Sequence, residues 1–311
     1  MQFETIKVWK DREDVTLTAY ILDNCFDTDP ERKRPAVLIC PGGGYQYCSD
    51  REAEPVAMKF AAMGYHTMIL RYSVRQTAPK PELVRYPKSL TDLARALAVV
   101  REHSHAWRVD ENKIAICGFS AGGHLCGELA AHWHEPWLAD ELGLPNGQFR
   151  PNAAILVYAL LDAVAEEAYM QAEQFFGASD VNGTLLGKES PTLEEQQKVS
   201  PAYHVTPDCP PCFLVHAAND FLVPVENTLN MAAALTRAQV PYEVHIFETG
   251  SHGFSVADET SSTMDFEMHP ETAGWVKLAA KWLRQHLPLT TLQGEDNIPV
   301  RGKLPPFPPE L

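Results

Sequence analysis

Lys113-Ile114-Ala115-Ile116-Cys117-Gly118-Phe119-Ser120-Ala121-Gly122-Gly123-His124-Leu125 is the stretch whose reading decides the fold. Its first five residues are a short apolar run, which reads as a buried central strand. Leu125 to His132 reads as the start of a helix. Between them, Gly118 to Gly123 must make a tight turn, and that turn carries Gly-x-Ser-x-Gly centred on Ser120. The motif alone is common; between a strand and a helix it has a mechanism. A turn this sharp strains the backbone at the serine and exposes its hydroxyl. Gly118 and Gly122 lack a Cβ, so neighbouring backbone can approach closely. The helix that follows aims its first N–H groups and its dipole at developing negative charge. Ser120 is therefore the candidate nucleophile.

Outward from this turn the same rhythm continues. Toward the N-terminus, Pro35 to Cys40 (PAVLIC) and Tyr65 to Tyr72 (YHTMILRY) read as strands, the second entered after a helix stop at Gly64. Val15 to Leu22 alternates and reads as an early antiparallel strand. Leu90, Leu93, Ala94, Leu97 and Val100 have helical spacing, so Pro87 to His103 reads as a crossover helix. Its Asp92, Arg95 and Arg101 read mostly as surface charges. Toward the C-terminus, strands are expected at Asn152 to Tyr158, Cys212 to His216 and Tyr242 to Phe247, and helices at Glu226 to Gln239 and Ala273 to His286.

Strands alternating with helices predict an α/β chain with a doubly wound, mostly parallel sheet. No internal repeat interrupts it, so residues 1–287 are expected to form one catalytic domain. Leu160 to Tyr203 contains no strand pattern and is expected to hold short helices forming a lid over the site. Residues 288–311 are a Pro-rich tail ending Leu304-Pro305-Pro306-Phe307-Pro308-Pro309. Such a tail is extended, with little internal bonding. It is either disordered or docked on a neighbouring subunit through Leu304 and Phe307.

Three further segments bear chemistry. Pro41-Gly42-Gly43-Gly44-Tyr45 follows the PAVLIC strand directly, and its glycines let backbone N–H groups converge on an anion. No GK[ST] follows, so a Walker loop is excluded. A nucleophile turn of this type takes one oxyanion donor from the residue after the serine, here Ala121, and others from the loop after an earlier strand. Gly43 and Gly44 are the candidates there. His216-Ala217-Ala218-Asn219-Asp220 ends a strand, where Asp220 can orient an imidazole. Gly250-Ser251-His252-Gly253-Phe254 puts His252 in a glycine-flanked loop after the YEVHIF strand. The chain order is then Ser, Asp, His. A serine hydroxyl is a weak nucleophile at neutral pH, so His252 must take its proton and Asp220 must fix the tautomer. Neither a metal nor an organic cofactor is required. His124 reads as a packed helix histidine. The HxH pairs at His103/His105 and His132/His134 lack a further ligand at defined spacing. Cys209-Pro210-Pro211-Cys212 reads as a strand entry, not a metal or redox motif.

With 311 residues, 45% of them hydrophobic, the chain can bury a full core. The formal charge of -15 argues against nucleic acid, because phosphate binding needs clustered Lys and Arg. No apolar run reaches the length of a membrane span. Met1 to Thr5 is polar and mixed in charge, which does not fit a secretory signal, so a cytoplasmic protein without membrane partners is expected. Seven cysteines, several of them in apolar runs, read as buried small hydrophobes.

Taken together, PGGGY, GFSAGGHL, DFLVPVEN and GSHGF resemble the esterase/lipase branch of the α/β-hydrolase superfamily, and within it the acetyl esterase or acetylxylan esterase-like group. The resemblance spans about Pro35 to His286. It implies a serine esterase acting on small acyl groups, often acetyl on sugars, with a small-molecule ester as partner. A homo-oligomer is the state that docking of the tail on a neighbouring subunit would give. Two departures stand out. Pro41 occupies the place where many members carry a histidine, and Asn219 stands where members often carry a second acid, leaving Asp220 as the acid of that motif. Two other readings share these residues. One is a serine peptidase like the catalytic domain of prolyl oligopeptidases, against which stand the GGG loop and the missing propeller repeat. The other is a non-catalytic binder on a hydrolase scaffold, against which stands the complete set Ser120, Asp220 and His252.

Overall fold

The computed structural model of the chain describes residues 1–24, 29–172, 181–188, 190–262 and 264–289. Alternation within the apolar runs builds its centre. In the PAVLIC run, Ala36, Leu38 and Cys40 point into one hydrophobic layer, and Val37 and Ile39 into the other. A strand buried on both faces in this way needs helices on both sides.

The described strands are β1 (Gln2–Lys7), β2 (Thr16–Ile21), β3 (Arg34–Cys40), β4 (His66–Arg71), β5 (Val109–Phe119), β6 (Ala153–Val157), β7 (Cys212–Ala217) and β8 (Tyr242–Phe247). They form one sheet in the order β1-β2-β4-β3-β5-β6-β7-β8. Strand β2 is antiparallel to both neighbours, and every pairing from β4 to β8 is parallel. The helices are α1 (Glu54–Ala62), α2 (Lys88–Glu102), α3 (Ser120–His132), α4 (Pro136–Leu142), α5 (Ala163–Ala172), α6 (Val181–Leu186), α7 (Leu193–Lys198), α8 (Glu226–Arg237) and α9 (Trp275–His286). Phe60 of α1 and Trp275 and Leu283 of α9 cover one face of the sheet. Leu97 of α2, Leu129 of α3 and Met231 of α8 cover the other. This is the doubly wound, mostly parallel arrangement expected from the sequence. Its register sets Cys40 beside Gly118 and Phe119 beside Val157, so the carboxyl ends of β3, β5 and β6 open together. In open α/β sheets ligands bind in that crevice.

Several features differ from the sequence expectations. Strand β1 and helices α1 and α4 carry patterns too short or too exposed to be predicted. Helix α3 begins at Ser120 itself, not at Leu125, because the turn is confined to one residue. Asp92 is not a surface charge. It is fully buried, and accepts from Trp9 Nε1 at 2.7 Å, Arg12 Nη1 at 3.1 Å, Ser73 N at 3.1 Å and Ser73 Oγ at 2.5 Å. It therefore ties the N-terminal strands and the end of β4 to α2. Cys209 and Cys212 are both buried free thiols. Residues 160–203 do contain short helices, α5 to α7. The Pro-rich tail from residue 290 onward lies outside the described residues.

Candidate active site

Ser120 stands at the junction of β5 and α3 with φ +50°, a left-handed conformation that a serine adopts only under local constraint. The constraint is visible at its flanking glycines. A Cβ on Gly118 would lie 2.2 Å from the Gly122 carbonyl oxygen, and one on Gly122 would lie 2.1 Å from that of Cys40. Both positions require glycine, because β3, β5 and α3 meet there at backbone contact. The sharp turn needs that contact to hold Ser120 above the sheet edge.

The structure brings Ser120, His252 and Asp220 together from three loops separated by up to 132 residues. His252 Nε2 lies 3.0 Å from Ser120 Oγ. Its Nδ1 lies 2.8 Å from Asp220 Oδ2 and 3.1 Å from Oδ1. The backbone N–H groups of Leu222 and Val223 donate to Oδ1 at 2.9 and 3.0 Å. Burial opposes charge on Asp220, but the charge of His252 and hydrogen bonds from His216 and His252 outweigh it. The carboxyl is held well below the ordinary range and is ionised. Asn219, where a second acid was noted as common, accepts the Gly250 N–H at 2.8 Å and so braces the His252 loop.

Gly43, Gly44 and Ala121 line one cavity of about 350 Å³ with Ser120 and His252. Gly43 and Gly44 have φ +122° and +59°, and a Cβ on Gly43 would lie 2.1 Å from the Tyr47 carbonyl oxygen. The glycine loop is therefore folded back on itself beside the serine. Helix α5 supplies Glu166 and Met170 to the same cavity, and the loop after β7 supplies Phe221 to Val223. His124 packs inside, as expected. Its Nε2 donates to the Val199 carbonyl at 2.8 Å, which leaves Nδ1 to accept from the Tyr45 hydroxyl at 2.7 Å. Burial pushes its pKa down to about 4. Among the described residues no group of three or more His, Cys, Asp or Glu is arranged to hold a metal ion, and no helix is long and apolar enough to cross a membrane.

Two cavity residues carry no sequence signal. Burial, with the Asp220 charge behind it, pushes the Glu166 carboxyl up to about 8, and its Oε2 has no hydrogen-bond partner among the described residues. Glu52, only 4% exposed, accepts from Gly42 N at 2.7 Å and from the Tyr158 hydroxyl at 2.7 Å. Neither lies in a recognisable motif, and only the folded chain brings Glu52 to Gly42 and Tyr158 and Glu166 to the charge of Asp220.

Comparison with known proteins bears on the family and the fold. Residues 22–235 match the BD-FAE family. The chain is 34% identical over 232 residues to endo-1,4-beta-xylanase B of Butyrivibrio fibrisolvens, covering 73% of this chain and 33% of that protein. It is 27% identical over 229 residues to the acetylxylan esterase of Xylanibacter ruminicola, covering 70% of this chain and 41% of that protein. The chain thus spans well under half the length of these two relatives. Among solved structures, the carboxylesterase Cest-2923 from Lactobacillus plantarum WCFS1 superposes with a TM-score of 0.80 at 29% identity, covering 94% of this chain and 100% of that one. On the fold, the serine turn and the family match together, the chain belongs to the BD-FAE family, in the esterase/lipase branch of the α/β-hydrolases.

Proposed function

We propose that this protein is a serine carboxylesterase that removes short acyl groups, acetyl foremost, from carbohydrate esters through a Ser120-His252-Asp220 triad. The unbroken line of contacts from Ser120 Oγ through His252 to an ionised Asp220, at the floor of the cavity, is the observation that carries this reading. Nδ1–H donates to Asp220, so Nε2 is free to accept the Ser120 proton as Oγ attacks the ester carbonyl. The N–H groups of Ala121 and of the Gly43-Gly44 loop are the donors for the oxyanion, and α3 begins at the serine with its dipole directed the same way. His252 then protonates the leaving alcohol. The acyl-enzyme is cleaved by water, which His252 activates in turn.

The small cavity supports a short acyl group. The carbohydrate part rests on similarity to proteins named a xylanase and an acetylxylan esterase. We read residues 1–287 as the catalytic unit and residues 160–203 as its lid, which the placement of Leu160, Glu166 and Met170 on the cavity wall supports. Hydrolysis of p-nitrophenyl acetate, butyrate and octanoate by wild type and Ser120→Ala tests the chemistry. Acetate should be preferred, and the variant should lose on the order of 10³-fold or more in kcat/KM. Undiminished activity in Ser120→Ala would end the reading. Acetylated xylose and an aryl acetate of matched reactivity, compared next, test the sugar part, which equal rates would remove.

A further inference from the structure

We propose that Glu52 is a positioning residue of this site, a buried carboxylate that sets both the glycine loop and the histidine loop and faces the His252 imidazolium with negative charge. The proposal rests on the reading of Ser120 and His252 as nucleophile and base.

The directions of its hydrogen bonds bear on the charge of Glu52. Glu52 Oε2 accepts from the Gly42 N–H, which can only donate. Oε1 meets the Tyr158 hydroxyl at 2.7 Å. That hydroxyl oxygen accepts the Ser255 N–H at 3.0 Å, so its own proton points to Glu52. Both carboxyl oxygens therefore act as acceptors, the arrangement that an ionised carboxylate satisfies without a donor of its own. Burial favours the neutral form and pushes the pKa upward. The bonds from Tyr158 and Gly42 and the charges of His252 and Arg51 resist that push. Tyr72 and Cys117 also face Glu52, and burial keeps both of them protonated.

The same contacts explain what the carboxylate is for. Gly42 precedes the two proposed oxyanion donors, and a Cβ there would meet Glu52 Oε2 at 2.7 Å and Ser120 Cβ at 2.9 Å. The loop is thus seated between the nucleophile and Glu52. On the other side, Tyr158 carries the link to Ser255, three residues after His252, and its ring packs edge-on against the His252 ring with centroids 5.1 Å apart. Tyr158 holds φ +35° to do so. Ser255 Oγ closes the circuit by donating to the Arg51 carbonyl at 2.6 Å. One side chain joins the ends of β3, β6 and β8 around Ser120. Its negative charge faces the positive charge that forms on His252 during attack.

The test uses two variants that separate reach from charge. Glu52→Gln keeps the reach and removes the charge; Glu52→Asp keeps the charge and shortens the reach. For Glu52→Gln, kcat for p-nitrophenyl acetate should fall about tenfold or more with KM little changed, and the acid limb of kcat/KM should move down by about half a pH unit or more. For Glu52→Asp, kcat should fall by a similar factor while the acid limb stays in place, because about 1 Å of misplacement is enough to cost that much. Wild-type kcat in Glu52→Asp would overturn the proposal even if Glu52→Gln did not fold. Loss of rate in Glu52→Gln with an unmoved acid limb would overturn it too, since a purely structural role predicts that result. The rate of fluorophosphonate labelling of Ser120, followed across pH in the same proteins, keeps the two readings apart. No labelling of wild type would remove the esterase reading and this proposal with it. Labelling with the same pH profile in wild type and Glu52→Gln would remove only the role of Glu52.

Discussion

Asp220 shows how much one residue's chemistry depends on the direction of its hydrogen bonds. Its Oδ1 accepts from two backbone N–H groups, and its Oδ2 faces His252 Nδ1 and, at 3.3 Å, His216 Nε2. In Asp220→Asn the amide nitrogen must take one of these places. At Oδ1 it opposes the N–H groups of Leu222 and Val223. At Oδ2 it opposes His252 Nδ1–H and drives the proton to Nε2, where it blocks transfer from Ser120. Either way kcat/KM should fall on the order of 10³-fold, with the unfolding midpoint little changed. Steady-state kinetics within tenfold of wild type would contradict the assignment. The meeting of Ser120, Asp220 and His252, the proposed triad, was legible in the sequence because each member sits in a short motif at a strand end, where the chain order is also informative. Glu52 and Asp92 were not. Both are single acids among 41, and their partners come from distant segments: Tyr158 and Gly42 for one, Trp9, Arg12 and Ser73 for the other.

Elements announce themselves only when their pattern is longer than their noise. Strands β3, β5, β6 and β7 were legible because burial on both faces makes them continuous apolar runs. Strand β1 lies at the sheet edge with five of its six residues exposed, so no alternation marks it. Helix α1 has nine residues and follows the glycine loop, and only its stop at Gly64 was visible. The start of α3 was placed too late, since a turn of one residue at φ +50° leaves no gap between strand and helix. The close meeting of β3 and α3 gives a prediction at this scale. Gly122→Ala would set a Cβ 2.1 Å from the Cys40 carbonyl oxygen and 2.3 Å from that of Pro41, both backbone atoms that cannot step aside. Urea unfolding should show a loss of about 1–3 kcal/mol or more, with activity falling further because Pro41 leads into the glycine loop. Gly274→Ala is the control. It has φ -66°, and among the described residues no atom beyond the adjoining backbone comes within 4 Å of where the new methyl group would lie, so stability should hold or rise by about 0.4–1 kcal/mol. Equal losses in the two variants would argue against backbone contact as the reason for Gly122.

At the scale of the whole molecule, composition was a guide to what the chain avoids, and a poor guide to what it buries. The charge of -15 says nothing of the ionisable groups inside, yet these set the pH dependence of stability. Burial pushes His66, His124 and His132 down to about 4. Their contribution is present above the ordinary histidine range and is lost as pH falls toward 4. Burial pushes the other way on carboxyls: Glu166 rises to about 8, and Glu128, fully buried in α3 with no hydrogen bond to either oxygen among the described residues, rises well above its usual range. Their contribution is complete only below the ordinary carboxyl range and is lost as pH rises through the folded value. Between these limits the two sets oppose each other. Above about pH 7.5 these histidines are almost wholly neutral in both folded and unfolded chains, so the buried carboxyls set the larger slope. Urea unfolding of wild type should therefore give a stability that declines from about pH 7.5 to 8.5, by up to about 1.4 kcal/mol per pH unit for each such carboxyl. In Glu128→Gln one of those slopes is removed, so its stability should fall less steeply over the same range, whatever its absolute value. Self-repulsion from the net charge acts on both proteins alike and cancels in the comparison. Identical slopes would mean that Glu128 is ionised in the folded chain, with the compensating charge on the His124 or His132 ring, 3.6 and 3.4 Å from its oxygens.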